Sequence, residues 1–96
     1  MSADKSVSST PYNTSCSLVV EADSTLGSLL RVLDQLAVLN LSLHEMTSSQ
    51  ASNSTQKIEL WFDCYNESVF HRLVKKINSF EFVYAVTTVT TEESFT

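Results

Sequence analysis

The feature that most narrows the folds open to this chain is the way its hydrophobic spacing switches back and forth along the sequence. Cys16, Leu18 and Val20 alternate with Ser17, Val19 and Glu21, and a period of two marks a strand, because successive side chains point to opposite faces of a sheet. From Leu26 the interval widens to three and four. Leu26, Leu29, Leu30, Leu33, Leu36 and Ala37 then share one side of a helix, with Gly27, Ser28, Arg31, Asp34 and Gln35 on the other. Asp23-Ser24-Thr25 supplies N-cap residues for that helix. Asn40 suits the left-handed position that ends it, in a chain with a single Gly.

The period returns to two at Leu41, Leu43 and Glu45, alternating with Ser42, His44 and Met46. Thr47 to Gln56 holds nothing that would anchor it and reads as a hairpin loop. Ile58, Leu60, Phe62 and Cys64 alternate with Lys57, Glu59, Trp61 and Asp63 as a third strand. Asn66 then caps a second helix whose apolar side is Val69, Phe70, Leu73, Val74 and Ile77, with Tyr65 placed to pack on Phe70. Lys75 and Lys76 sit in its last turn, where cations complement the helix dipole. Phe82 to Val89 is β-branched and aromatic, a fourth strand.

The order β-α-β-β-α-β is that of the α+β ferredoxin-like sandwich: a four-stranded antiparallel sheet with two helices on one face. Its first and third strands are central and its second and fourth are edges. Residues 1–13 and 91–96 read as mobile polar tails around one domain at 14–90.

In this arrangement Cys16 and Cys64 lie close together on the helix-facing side of the sheet, as reduced, buried thiols. The open side shows Glu59, Trp61 and Asp63 beside Ser17, Val19 and Glu21. Val19 and Trp61 are candidate interface residues, because a large apolar side chain left wet on a sheet often marks a partner surface.

The same inventory excludes much chemistry. Six Lys and Arg stand against eleven Asp and Glu, a net charge of −5, and carboxylates around a lone aromatic repel a phosphate backbone, so nucleic acid is not an expected partner. No apolar run approaches the roughly 18–20 residues that span a bilayer, and no signal sequence opens the chain, so a cytoplasmic protein without a membrane partner is expected. There is no Cys-x-x-Cys, Gly-rich phosphate loop or nucleophile elbow. His71 shares a polar helix stripe with Glu67 and Lys75. His44 and Glu45, adjacent on a strand, would point to opposite faces and share no proton or metal. Glu21-Ala22-Asp23 makes the first strand–helix loop acidic, against an acylphosphatase cradle. No catalytic residue, metal site or cofactor is expected, and the chain does not read as an enzyme.

From Ser17 to Val89 the sequence resembles the ACT family of small-molecule-sensing regulatory domains, most nearly the short regulatory subunits of acetolactate synthase. The resemblance is carried by Leu18-Val19-Val20-Glu21, Leu29-Leu30-Arg31-Val32-Leu33, Asn40-Leu41-Ser42-Leu43 and the stretch from Ile77 to Val86. It implies a non-catalytic homodimer, joined through a strand edge, that associates with a thiamine-diphosphate-dependent synthase or serves another metabolic enzyme. It also implies an amino-acid effector held between the first strand–helix loop of one subunit and the second strand of its partner. Carried onto this sequence, that site is Asp23, Ser24, Thr25 and Gly27, with Ser42 from across the dimer. Aligning on Arg31-Val32 puts Gly27 at the family's loop Gly, whereas aligning on the leucine period puts Ser24 or Thr25 there and Gly27 inside the helix.

Overall fold

Alternating apolar residues need a sheet to bury them and helical stripes need a surface to lie on, and the chain supplies both. A computed structural model describes residues 14–90, and the tails expected at 1–13 and 91–96 lie outside the described residues. Six elements follow in order: β1 (Thr14–Asp23), α1 (Leu26–Val38), β2 (Ser42–Gln50), β3 (Thr55–Cys64), α2 (Glu67–Asn78) and β4 (Val83–Thr90). The four strands form one sheet in the order β2-β3-β1-β4, every neighbouring pair antiparallel. This is the ferredoxin-like sandwich read from the sequence, with β1 and β3 central. No helix among the described residues is long and apolar enough to cross a membrane.

The core lies between the sheet and the helices. Cys16, Leu18, Val20 and Ala22 of β1 and Ile58, Leu60, Phe62 and Cys64 of β3 meet Val32 and Leu36 of α1 and Val69, Leu73 and Ile77 of α2, all buried. Phe62 is completely buried and stacks on Phe70 with ring centroids 6.2 Å apart. Burial of a side chain that size contributes about 2–3 kcal/mol. Tyr65, expected against Phe70, donates its hydroxyl to the Leu39 carbonyl at 3.1 Å. Asn40 adopts the expected left-handed backbone, φ 58°, and the Leu41 N–H closes on the Leu36 carbonyl at 2.9 Å.

Three sequence expectations are corrected. First, α1 is turned about its axis relative to the face expected. Ser28, Val32 and Leu36 are its buried residues, flanked by Leu29 and Leu33. Leu26, Leu30 and Ala37 point to solvent, the first two 68% and 55% exposed. The apolar arc is wide: Val32 extends it on one flank and Leu30 on the other. The helix packs by the Val32 flank, with Ser28 beside it hydrogen-bonded to Asp23.

Second, Thr47 to Gln56 is mostly strand. β2 runs to Gln50 and β3 starts at Thr55, in register from Thr47↔Glu59 to Gln50↔Gln56. Polar side chains suit this edge, where Thr47 Oγ1 donates to Glu59 at 3.2 Å and Ser48 Oγ to Gln56 at 3.0 Å.

Third, His44 and Glu45 do not alternate. The register slips between Leu43↔Phe62 and Glu45↔Trp61, leaving His44 as the extra residue of a bulge. Its Nε2 lies 3.0 Å from Asp63 Oδ2, on the open side of the sheet.

Candidate functional site

The β1–α1 junction gathers the densest polar network in the described chain. Asp23 ends β1 with its N–H tied to the Phe82 carbonyl at 2.9 Å. Thr25 is the N-cap of α1, and its Oγ1 accepts from the Ser28 N–H at 3.2 Å. Oδ1 of Asp23 in turn accepts from the Thr25 N–H at 3.2 Å, from the Thr25 hydroxyl at 2.8 Å and from the Ser28 hydroxyl. Three donors on one oxygen favour the ionised form, so the carboxyl is held below its usual range, chiefly by Ser28 and then by Thr25.

Gln56 locks this turn to the sheet. Its side chain is buried, and Nε2 donates to the Asp23 carbonyl at 2.7 Å and to the Thr25 carbonyl at 2.8 Å. With the Ser48 hydroxyl on Oε1, its amide hydrogens and one oxygen lone pair are satisfied, as burial requires. An open depression of about 220 Å³ lies beside it, lined by Ser24, Ser48, Ser49, Gln50 and Gln56.

Asp23, Ser24, Thr25 and Gly27 are therefore brought together at one end of the molecule. Gly27 is the second residue of α1, with no positive φ, and a Cβ there would meet nothing within 4 Å. The first-turn amides of Leu26 and Gly27 have no intrahelical partner, as at any helix start. Ser42 stands elsewhere. It opens β2 opposite Asp63, whereas Asp23 is opposite Thr55. Along β3 that separation is roughly 26 Å at about 3.3 Å per residue, so within one chain Ser42 does not reach the loop.

Sequence reasoning missed Gln56 and Ser28. Gln56 carries a signal: it continues the even-numbered series of Ile58, Leu60, Phe62 and Cys64, a polar residue at an inward-facing position. Ser28 shares the four-residue step of Val32 and Leu36, which was masked by the surrounding leucines.

With this geometry in view, the chain is similar to the ACT domain from the GTP pyrophosphokinase of Chlorobium tepidum. The two are 10% identical over 80% of this chain and 99% of that one, with a TM-score of 0.70. It is similar also to the C-terminal domain of the MgtC protein from Mycobacterium tuberculosis, at 13% identity over 86% and 93% of the two chains and a TM-score of 0.70. A homoserine dehydrogenase from Thiobacillus denitrificans matches 92% of this chain but only 20% of its own length, at 20% identity and a TM-score of 0.67. The likeness is one of fold. No protein-family model and no curated protein sequence matches the chain.

The remaining chemistry-bearing residues of this ferredoxin-like fold are quieter. Cys16 and Cys64 are both 3% exposed, neither in a disulfide. They sit diagonally across the β1–β3 pairing, Cys16 opposite Phe62 and Cys64 opposite Thr14. Burial pushes the Cys16 thiol up to about 11, helped by the neighbouring Cys64 and by the Asp63 carboxylate. A thiol so placed is a poor nucleophile at neutral pH. His71 is exposed on α2, 3.9 Å from Glu67 one turn back. Among the described residues no three His, Cys, Asp or Glu side chains gather as a metal site.

Proposed function

We propose that residues 14–90 form a non-catalytic, ACT-like regulatory domain that senses a free amino acid and works as a homodimer. The observation that carries this reading is the network at the start of α1. Asp23, Thr25, Ser28 and Gln56 hold a strand–helix turn rigid beside an open polar depression. The fold shared with an ACT domain supports it.

Exposed helix-start amides favour an effector carboxylate, and the second oxygen of Asp23 is suited to the ammonium. Gly27 keeps the first turn of α1 clear of a side chain. β2 is an edge strand and antiparallel pairing of two copies along it would lay Ser42 of one copy beside the Gln50 end of the other, next to that copy's depression. The exposed apolar line of Leu26, Leu30 and Ala37 on α1 supports a partner on this part of the molecule.

The finer reading is that the dimer associates with acetolactate synthase, a thiamine-diphosphate-dependent enzyme of branched-chain amino-acid synthesis, and activates it. It rests on the sequence resemblance between Ser17 and Val89.

Thermal melts against a panel of free amino acids test the proposal. A ligand at about 100 times its dissociation constant adds about 2.7 kcal/mol, a rise of several degrees in a domain this small. A rise with valine, leucine or isoleucine, abolished by Asp23→Asn, is the expected result. A flat panel would remove the sensing role, and a rise with other amino acids alone would point to another metabolic enzyme. Titrating the purified synthase with the protein addresses the partner, and an unchanged rate would exclude activation.

A further inference from the structure

The side of the sheet away from the helices has a composition of its own. Val19 and Trp61 stand half-buried at its centre. The register pairs Val19 with Glu59 and Trp61 with Glu45, while Glu21 and Asp63 lie two residues farther along β1 and β3 on the same side. Among the described residues, Lys57 in register with Glu21 and His44 beside Asp63 are the basic groups that offset these carboxylates. The other described Lys and Arg side chains belong to the helices in the opposite layer: Arg31 on α1, and Arg72, Lys75 and Lys76 on α2. Arg31 is drawn over the Phe80 ring, 5.0 Å from its centroid. The molecule is thus polarised across its thickness, with a flat negative face around an apolar centre.

That charge pattern selects among occupants. Stacking two such faces would set each ring of carboxylates against its copy, and a nucleic-acid backbone would be repelled in the same way. A cationic polypeptide is attracted, and an arginine has a second reason to bind. Its planar guanidinium pairs with carboxylates and stacks on an indole, which lysine does less well.

We infer that the open face is a docking surface for a basic, arginine-bearing segment of a partner protein. The segment lays apolar side chains on Val19 and Trp61 and cations on Glu21, Glu45, Glu59 and Asp63. This deepens the proposed function and rests on it for the existence of a partner protein, but not for the effector, which belongs to the β1–α1 end.

Trp61 is the only tryptophan in the chain, so its fluorescence reports this face directly. The probe is an extended peptide of alternating arginine and leucine, titrated into the full chain. The same peptide with glutamate for arginine is the comparison. A saturable change in Trp61 emission with the basic peptide is expected, with affinity falling about tenfold or more between low and physiological salt. The triple variant Glu21→Gln, Glu45→Gln, Glu59→Gln should lose affinity by a similar factor. Its circular dichroism should stay unchanged, since none of these side chains is buried. Neutralising Arg72, Lys75 and Lys76 on α2 should leave binding as it was.

An emission unchanged to millimolar peptide, salt-insensitive binding, or equal binding of the acidic peptide would each overturn the inference. So would a dimer that dissociates on Val19→Glu, which would mean that a second copy covers this face rather than the β2 edge. Amino-acid melts report on the other end of the molecule. A positive melt with no peptide binding would sink the docking surface alone, and the reverse would sink the effector alone.

Discussion

β3 enters α2 through a plain cap, whereas β1 enters α1 through a network that spans three elements. At the second junction Asn66 Oδ1 accepts from the Ser68 and Val69 amides at 2.9 and 3.1 Å, Glu67 sits in the first turn, and Lys75 and Lys76 close the last. That is a helix finished by its own sequence. α1 has neither an acidic residue in its first turn nor a basic one in its last, and it leaves Leu26, Leu30 and Val38 largely exposed. Its start is held by groups outside it: Asp23 from β1 and Gln56 from β3. The contrast teaches where each helix start draws its support. α2 is capped and charged by its own sequence, while the turn before α1 depends on groups from two strands and the outer side of that helix is left apolar.

The largest test of that contrast is Gln56→Ala. It removes the buried amide that ties the Asp23 and Thr25 carbonyls together and should cost about 1–3 kcal/mol, lowering the melting temperature by roughly 5–20 °C. A loss under about 0.5 kcal/mol in urea denaturation would mean that the turn does not depend on this tie. Asn66→Ala removes the plain cap and should cost about 1 kcal/mol. If it proved the more damaging of the two, the contrast would be reversed.

A subtler effect concerns pH. The carboxyl of Asp23 is held below its ordinary range in the folded chain, so its contribution is present above that range and is lost as pH falls through the folded value. Ser28→Ala removes the first cause, and the Asp23 titration, followed by NMR, should then move up toward the usual carboxylate range. An unmoved titration would show that Thr25 alone holds it. Smallest of all should be Leu30→Glu, within about 0.5 kcal/mol for an exposed position on an uncovered helix. The informative reading is sedimentation: if this variant shifts the chain toward monomer, the outer side of α1 is buried in the assembly.

How far the sequence foretold these features depends on which force placed each residue. Strands β1 and β3 and helix α2 were legible because burial placed their residues, and burial writes a period. The topology followed, including β1 and β3 at the centre. α1 existed where expected, but its rotation did not show, since its apolar arc is wider than the sheet can cover and either flank could have faced inward. The β2–β3 hairpin was hidden for the opposite reason. Thr47, Ser48 and Ser49 are held by backbone pairing and hydroxyl bonds, which leave no hydrophobic trace. The site was half legible. Asp23 and Thr25 announce a helix start, but Gln56 lies 33 residues from the carbonyl of Asp23 that it serves, a partnership only the folded sheet creates.

The two register slips have a consequence for how large any assembly of this chain can become. One lies at His44 on β2, the other at Tyr84 on β4, where Glu21 pairs with Ala85 and Ala22 with Val83. Both free margins of the sheet are therefore kinked. A straight margin is a template on which strands can be added without limit, as in fibrils, and each kink interrupts the row of backbone groups such growth needs. A single neighbour can still seat on β2, whose pairing with β3 continues on both sides of the kink. Kinks at both margins disfavour open-ended strand addition, and deleting His44 or Tyr84 should raise the tendency of the chain to aggregate, read by light scattering.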